Sequence, residues 1–477
     1  MVDHPSSQQK HKNMNRIPDV SVYDEQRIMQ IGCELLAAMH EHEAKQAFSA
    51  TEKLMDWAMK DHGFKVQLFR FVDTLPTLHT SSQVYGYLAD FLLQPEVHLP
   101  LGMATALKAG KIFRPAVAMT TRKQIEHMAK RFIAGMTANE ILPVLEKQWE
   151  KQTAFSIDLL GEECLSEEET DAYRVRYLEL VQQLSTATKS WKAQLILEEG
   201  MLANVPRTNL SLKISSLVTK ADPMDFEGTL AKLDQAIKPI LLQAVQCGAL
   251  INFDMENYAL KDLTIEFFKQ CCEKYNFVAG IALQAYLRSA EDDAHNLIEF
   301  TKRTGRQITV RLVKGAYWDF EVINAQQMGW KIPVWMHKHE TDACYERVAD
   351  LLLTATPRDL SQGGIHLALG SHNVRSIASV LSTLESQGLP KNAIEMQMLY
   401  GMADSIKVAI IERGYRLREY VPVGEFLPGM AYLVRRLLEN TSNESWLRAG
   451  DHERLPDNVL LESPHEILDL EHKRAKQ

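Results

Sequence analysis

The sequence predicts an α/β protein, a (β/α)8 TIM-type barrel preceded by an α-helical region. Two observations lead to this fold class. After about residue 150, eight short apolar runs alternate with helix-length amphipathic segments, which is typical of a barrel of parallel strands. Before that point, apolar residues recur at spacings of three and four, the period of a helix, and strand signals are sparse.

Four regions follow in chain order. Residues 1–20 are polar, and we expect them to form a flexible N-terminus. The helical spacing runs through residues 21–150, which form the predicted helical region. The barrel is predicted over residues 151–450. Residues 451–477 are charged and weakly patterned, and we expect a C-terminal tail that is either peripheral or a linker.

The predicted strands are short apolar runs, and several lack the alternation of a half-exposed strand, as expected for parallel strands buried on both faces. They are residues 154–159, 210–214, 250–254, 279–284, 308–313, 365–369, 394–398 and 419–423. The intervening segments have helix length, for example 226–246, 264–275, 290–304 and 372–386. A doubly wound sheet is the structural alternative. It is weakened because no GxGxxG motif follows any of these runs.

Composition excludes several classes of protein. The net charge of −9 gives no electrostatic footprint for nucleic acid, so no nucleic-acid partner is predicted. No uninterrupted apolar run is long enough for a membrane-spanning helix, and the N-terminus lacks the apolar segment of a secretory signal. The six cysteines form no CxxC pair, which favours reduced thiols and a cytoplasmic location.

Polar residues interrupt or follow most of the predicted strands at their C-terminal ends. They are Lys213, Asp254, Gln284, Arg311 with Lys314, Ser371 with His372 and Asn373, and Tyr420. Each one alone could be a helix cap, a turn residue or an edge residue. Burying the whole set without partners would be costly, and catalytic residues of barrels lie at this end of the strands. The set therefore predicts an active site.

A second group lies on a predicted helix. Tyr432, Arg435, Arg436 and Glu439 form one stripe at spacings of three and four. The stripe could be a surface with a weak Arg–Glu pair. It could equally be an anion clamp, because adjacent guanidinium groups bind a carboxylate with charge-assisted bonds. The spacing leaves both interpretations open.

His337 and His339 form an HxH pair of the kind that metal-dependent barrel hydrolases use. The pair lies in a helix-like stretch away from any predicted strand end. On a helix, side chains two residues apart do not share a face, so we predict no metal site.

At these residues the sequence resembles the proline dehydrogenase family, particularly the proline dehydrogenase module of bacterial proline utilization A. The longest matching motifs are RLVKGAYW (311–318) and YLVRRLLEN (432–440). Shorter motifs occur in the family's order, namely FSIDLLGE (155–162), LSLKISSL (210–217), FDMEN (253–257), GIALQAY (280–286), SHN (371–373), LYGM (399–402) and YVPVGE (420–425). The resemblance covers roughly residues 60 to 450.

The resemblance implies a distorted (β/α)8 barrel that binds FAD non-covalently and oxidises L-proline to 1-pyrroline-5-carboxylate. In the site it implies, Arg435 and Arg436 bind the proline carboxylate and Glu162 pairs with Arg435. Other implied residues around the substrate are Lys213, Asp254, Tyr317, Tyr420 and Tyr432. The implied cofactor-binding residues are Asp254, Gln284, Arg311, Val313, Lys314, Gly315, Ala316, Trp318, Lys338, Thr341, Ser371, His372, Asn373 and Glu439.

Further partners also follow from the resemblance. They are a quinone as electron acceptor, a downstream aldehyde dehydrogenase, and a peripheral contact with the inner membrane. Larger family members carry that dehydrogenase and a DNA-binding segment, so we expect this chain to be either a single-function enzyme or a fragment. Two other functions stay open at this point. They are a metal-dependent barrel hydrolase that uses His337 and His339, and a non-catalytic regulatory barrel.

Overall fold

Eight parallel strands close into a barrel in the part of the chain that the structure describes. This computed structural model describes residues 23–45, 62–99, 103–161, 164–200, 205–425, 429, 432 and 455–475. The strands follow one another around the barrel in chain order, and β8 pairs with β1. They are β1 (Thr153–Leu159), β2 (Asn209–Leu212), β3 (Leu250–Phe253), β4 (Val278–Gln284), β5 (Gln307–Val313), β6 (Gly364–Gly370), β7 (Ile394–Leu399) and β8 (Leu417–Val423). The predicted fold class is confirmed.

Each predicted strand overlaps an observed one, with two differences that matter for the site. Lys213 was expected inside the second strand, but β2 ends at Leu212 and a short 3-10 turn, Ile214–Ser216, begins directly after Lys213. Asp254 was expected to end the third strand, but it follows Phe253, the last residue of β3. Both side chains therefore lie just beyond the C-terminal ends of their strands.

Helices precede the barrel and surround it. Those of the N-terminal part are α1 (Glu25–Lys45), α2 (His62–Thr74), α3 (Ser81–Leu92), α4 (Met103–Ala109), α5 (Arg114–Ala129) and α6 (Ala138–Glu150). Those of the barrel are α7 (Glu167–Ala187), α8 (Leu195–Glu198), α9 (Phe226–Cys247), α10 (Lys261–Lys274), α11 (Ala290–Thr304), α12 (Trp318–Met328), α13 (Lys338–Thr354), α14 (Val374–Ser386) and α15 (Asp404–Glu412). The C-terminal helices are α16 (Asp457–Leu460) and α17 (Pro464–Ala475).

The local sequence explains where these helices begin and end. Helix α11 has three acidic residues in its first turn, and Lys302 and Arg303 in its last, which complements the helix dipole. It ends at Gly305, whose φ of 70° is readily adopted only by glycine. Within the described residues, no helix combines the length and the apolarity needed to cross a bilayer.

The strands are buried on both faces, and the two faces differ in chemistry. On β5, Ile308, Val310 and Leu312 are fully buried and belong to the apolar core beneath the surrounding helices. The residues between them, Thr309 and Arg311, lie on the opposite face, which lines the barrel interior. Helix α1 packs outside the barrel, against α14 and α15.

A buried charged group joins the two ends of the described chain, and we call it the clasp. It consists of Glu25, Glu346, Arg375, Ser463 and His465. The Arg375 guanidinium binds Glu346 at 3.1 Å and Glu25 at 2.9 Å, Ser463 donates to Glu25 at 2.8 Å, and His465 lies 3.2 Å from Glu346. Ser463 and His465 are 4% and 3% exposed, so these two residues of the predicted tail are not peripheral. The predicted flexible segment 1–20 lies outside the described residues.

Candidate active site

The interior of the barrel is polar, unlike the branched apolar filling common in barrels of this type. Arg311 of β5 lies at its centre and is 4% exposed. Its guanidinium donates to Gln397 at 2.6 Å, to Ser211 and Ser156 at 2.9 Å each, and to Asp254 at 2.7 Å. We call these five residues the Arg311 network. It joins residues of β1, β2, β5 and β7, and Asp254 directly after β3, through one side chain.

Asp254 connects the Arg311 network to two further predicted site residues. Its other carboxylate oxygen accepts a hydrogen bond from the Tyr420 hydroxyl at 2.7 Å and lies 3.6 Å from the Lys213 ammonium. The Arg311 guanidinium also lies over the Tyr420 ring, at 5.0 Å from its centroid. Four predicted residues, two on β5 and β8 and two directly after β2 and β3, thus meet at one end of the barrel.

The charges of this group hold each other in their ionised forms. Burial raises the pKa of Asp254, but Arg311 and then Lys213 outweigh it and bring that pKa below its ordinary value. Burial lowers the pKa of Lys213, but the neighbouring Asp158, Tyr420 and Asp254 raise it well above its ordinary value. Burial raises the pKa of Tyr420, which therefore stays a neutral donor. The mouth of the barrel presents one ammonium, one guanidinium and their paired carboxylates.

A second charged group follows β5. Asp342 in the first turns of α13 binds the ammonium groups of both Lys314 and Lys338, the latter at 2.6 Å. Burial raises the pKa of Asp342, but these two cations bring it below its ordinary value, while burial lowers the pKa of Lys314. Thr341 is buried beside Asp342, at the N-terminal end of α13. Two cations and a helix N-terminus form a place suited to phosphate groups.

The chain between these groups passes close to an aromatic ring. Gly315 has a φ of 133°, and a Cβ atom at this position would lie 2.4 Å from the Tyr286 ring. Only glycine can therefore bring the backbone this near to Tyr286. Val313 ends β5 and is half-buried, Ala316 is exposed, and Trp318 is anchored by a 2.8 Å bond from its indole N–H to the Trp335 carbonyl.

Gln284 ends β4 and points one acceptor into the same end of the barrel. Its amide nitrogen donates to the backbone carbonyl of Glu256 at 3.2 Å. Its oxygen is buried and has no hydrogen-bond partner among the described residues. A buried acceptor without a partner is costly unless a ligand or water supplies a donor.

The residues after β6 have mainly backbone partners. The side chain of Asn373 caps α14 by accepting from the Ser376 N–H at 3.3 Å, and Ser371 accepts from the Asn373 N–H at 3.0 Å. The Nε2 atom of His372 accepts from the Leu399 N–H at 3.1 Å. The side-chain oxygen of Asn373 is thus engaged in the helix cap.

The described part of the chain includes some of the remaining predicted residues but not others. Glu162, Arg435, Arg436 and Glu439 lie outside the described residues, so the structure leaves the choice between surface helix and anion clamp open. Tyr432 is described and is buried. Tyr317 is half-buried and precedes α12 as its cap residue.

The histidine pair is arranged differently from the expectation. Helix α13 begins at Lys338, so His337 is its cap residue, and the rings of His337 and His339 stack with centroids 5.4 Å apart. The argument from opposite helix faces was therefore wrong in its geometry. His339 binds Glu471 of α17 at 2.9 Å. In the described part of the chain, no three histidine, cysteine or acidic residues form a group that could hold a metal ion.

Sequence reasoning missed several residues of this site. Asp158 binds Lys213, Asp342 binds Lys314 and Lys338, and Glu256 holds Gln284. The sequence did contain a pattern that indicates some of these residues. Polar residues two positions apart recur at the C-terminal ends of the strands. The pairs are Ser156 with Asp158, Ser211 with Lys213, and Asn252 with Asp254. Such spacing puts both residues of a pair on one face of a strand.

Two family models match the chain. The model described as proline dehydrogenase matches residues 141–449, and the model described as proline utilization A N-terminal domain matches residues 25–132. The first match spans all eight strands.

Similar proteins include both long and short relatives. Proline utilization A from Bdellovibrio bacteriovorus, in a crystal structure inactivated by N-propargylglycine, is 37% identical with a TM-score of 0.83, over 93% of this chain and 44% of that chain. The bifunctional protein PutA of Escherichia coli (strain K12) is 28% identical over 402 residues, 82% of this chain and 29% of the relative. Proline dehydrogenase 1 of Bacillus subtilis (strain 168) is 26% identical over 322 residues, 68% of this chain and 90% of the relative. The chain spans less than half the length of the proline utilization A relatives that it matches.

Proposed function

The chain belongs to the proline dehydrogenase family, and we propose that it oxidises L-proline to 1-pyrroline-5-carboxylate with FAD as its bound cofactor. The observation that carries the proposal is the group formed by Lys213, Asp254, Arg311 and Tyr420 at the C-terminal ends of the strands. Barrel enzymes carry their chemistry at this end, and these residues match the family's motifs.

The described residues fit a flavin cofactor. The unpartnered oxygen of Gln284 suits a ring N–H, and Lys314 and Lys338 at the start of α13 suit a pyrophosphate. Gly315 leaves backbone accessible beside these groups. FAD, when bound, supplies the hydride acceptor. The further cofactor contacts proposed from the resemblance are those of Asp254, Arg311, Val313, Ala316, Trp318, Thr341, Ser371, His372, Asn373 and Glu439.

The substrate is held, in this proposal, by its carboxylate. Arg435 and Arg436 bind it, with Glu162 paired to Arg435, and a fixed carboxylate leaves the five-membered ring little rotational freedom. The ring then lies among side chains of the barrel mouth, which are Lys213, Asp254, Tyr317, Tyr420 and Tyr432.

The reaction changes two atoms of proline, the nitrogen and Cδ. In the product the C=N bond joins the nitrogen to Cδ of proline, so a hydride leaves Cδ. The ammonium nitrogen first loses a proton to solvent, which frees the electron pair that forms the new bond. In this proposal that proton must leave before the hydride does. The neutral hydroxyl of Tyr420 remains a donor throughout.

The electron acceptor, the enzyme that takes up the product and the cellular location are proposed from the resemblance. We propose that the electrons pass to a quinone, that an aldehyde dehydrogenase consumes the product, and that the protein works in the cytoplasm with a peripheral contact with the inner membrane. The Escherichia coli relative is a bifunctional protein, which supports a second activity in such proteins.

The proposal is tested by adding L-proline to the purified protein without oxygen. We expect a yellow protein whose visible flavin absorbance bleaches on addition of L-proline but not of D-proline. N-propargylglycine, which inactivates the Bdellovibrio bacteriovorus relative, should abolish the bleaching. A colourless protein that contains stoichiometric metal would instead favour the hydrolase interpretation of His337 and His339, and a protein that binds neither would favour a regulatory barrel.

A further inference from the structure

Glu256 is a buried carboxylate that connects two strands of the candidate site. It lies in the loop after β3 and is 8% exposed. Its two oxygens accept hydrogen bonds from Ser215, one from the backbone N–H at 3.2 Å and the other from the hydroxyl. Burial raises the pKa of Glu256, and the two Ser215 donors act against that effect.

We call the two hydrogen bonds from Ser215 to Glu256 the bridge. At its Ser215 end, the bridge fixes the backbone of Lys213. Ser215 is the middle residue of the 3-10 turn Ile214–Ser216, which begins directly after Lys213. The backbone N–H and the hydroxyl of Ser216 both donate to the Lys213 carbonyl, at 3.2 and 2.7 Å. The turn therefore sets the point from which the Lys213 side chain reaches Asp158 and Asp254.

The backbone of Glu256 fixes a second residue, Gln284. The Glu256 carbonyl accepts from the Gln284 amide nitrogen at 3.2 Å. This bond determines which end of the amide faces the ligand, because the oxygen is then the atom left without a partner among the described residues. If the carbonyl moved, the amide could rotate and offer a donor where the ligand needs an acceptor.

The loop that carries Glu256 is also held from its other side. Asn257 caps the next 3-10 turn by accepting from the Leu260 N–H at 3.3 Å, and Glu321 of α12 accepts from the Tyr258 N–H at 2.6 Å. These contacts stabilise the loop, but neither touches a residue of the candidate site. Asn257 thus offers a matched control for Glu256.

We propose that Glu256 is a positioning residue that places the Lys213 ammonium through Ser215 and orients the Gln284 amide through its own carbonyl. This inference rests on the proposed function. It assigns Glu256 no contact with substrate or cofactor, because its effect passes through Lys213 on one side and Gln284 on the other.

The test compares three variants with the wild type in the FAD-bound protein. Glu256→Ala removes the bridge, and we expect kcat/KM for L-proline to fall about 10- to 100-fold, the usual effect of losing a hydrogen bond to a charged group. The dissociation constant for FAD should rise at least about threefold, because without the Ser215 contacts the backbone at residue 256 is no longer fixed and its carbonyl can move away from the Gln284 amide. Glu256→Gln keeps an oxygen for the Ser215 N–H, and both values should return to within about threefold of the wild type.

Asn257→Ala is the control for a merely structural effect. It should lower Tm, as loss of a cap does, while kcat/KM and FAD affinity stay within about twofold. Equal kinetic losses in Glu256→Ala and Asn257→Ala would overturn the proposal, and so would a Glu256→Gln variant no better than Glu256→Ala.

Two further measurements keep the proposal testable. If Glu256→Ala does not fold, Ser215→Ala removes one of the two donors and should give the same pattern with a smaller amplitude, and an unaffected Ser215→Ala would refute the bridge. A wild type that binds FAD but leaves L-proline unchanged would refute the proposed substrate alone. FAD affinity in the same variants would still decide whether Glu256 orients Gln284.

Discussion

Replacing Arg311 by methionine should destabilise the barrel because it leaves a buried carboxylate without its main partner. Asp254 and Arg311 have side chains 9% and 5% exposed and lie 2.7 Å apart. Breaking a buried ion pair costs roughly 3–5 kcal/mol of unfolding free energy. Lys213, at 3.6 Å, still compensates part of the Asp254 charge, so we expect about 3 kcal/mol for Arg311→Met.

The stability lost in Arg311→Met should depend on pH in one direction. In the wild type the pKa of Asp254 is below its ordinary value, so its pairing stabilises the fold above the unfolded pKa and is lost as pH falls through the folded one. In Arg311→Met the largest lowering influence is gone while burial remains, so the folded pKa rises. On acidification, protonation of Asp254 removes the unpaired buried charge from the variant. The difference in unfolding free energy between the wild type and Arg311→Met should therefore decrease from about pH 8 to about pH 5.

Urea unfolding followed by circular dichroism measures this difference, with Arg303→Met as the matched control. Arg303 pairs with Glu273 at 2.7 Å, but the two side chains are 65% and 46% exposed. An exposed pair contributes at most about 1 kcal/mol. If Arg311→Met lost no more stability than Arg303→Met, or if the loss did not depend on pH, the electrostatic account of the Arg311 network would be wrong.

Three further predictions concern substrate binding, ring specificity and acid stability. Arg435→Met and Arg436→Met should each lower kcat/KM for L-proline by the equivalent of roughly 2–5 kcal/mol, mainly through KM, because a charge-assisted carboxylate bond is lost. Tyr420→Ser should raise kcat/KM for trans-4-hydroxy-L-proline relative to L-proline, against a wild-type preference on the order of 10–200-fold, because it opens the wall near the ring. Burial raises the pKa of Asp350 to about 6, so folding favours its protonated form and stability should fall as pH rises from about 4 to 6. In Asp350→Asn, the decrease in unfolding free energy between about pH 4 and 6, measured by urea unfolding, should be smaller by about 3 kcal/mol than in the wild type.

Each of these predictions has a contradicting outcome. Unchanged KM and kcat/KM in both arginine variants would reject the clamp. A constant ratio between the two substrates in Tyr420→Ser would mean that another residue forms the ring pocket. An Asp350→Asn protein with the same pH profile as the wild type would show that Asp350 does not titrate in this range.

The fold was predictable because it depends on local patterns. Each strand is an apolar run, since its outward face packs under helices and its ends are set by turns. Strand ends were less predictable, and Lys213 shows why. Its neighbours Leu212 and Ile214 are both apolar and buried, yet β2 stops between them because the chain enters a 3-10 turn. Buried residues on both sides of a strand end give no sequence signal for the boundary.

The sequence pointed to Lys213, Asp254, Arg311 and Tyr420, which meet at one end of the barrel, but it did not predict how they pair. Arg311 and Asp254 are separated by the whole of β4 in the barrel, and their ion pair joins positions 57 residues apart in sequence. No local spacing encodes such a contact. Asp342 was missed for a related reason, since a carboxylate in a helical stretch looks like surface until the fold brings Lys314 against it.

The clasp joins residues of α1 to residues that the ribosome makes after all eight strands. Glu25 leaves the ribosome early, while Ser463 and His465 emerge only when the barrel sequence is complete. Until then Glu25 lacks its Ser463 donor, and Glu346 lacks His465. The clasp therefore cannot be complete until these last residues have been added to the chain. A chain that stalls before Ser463 would carry an incomplete clasp.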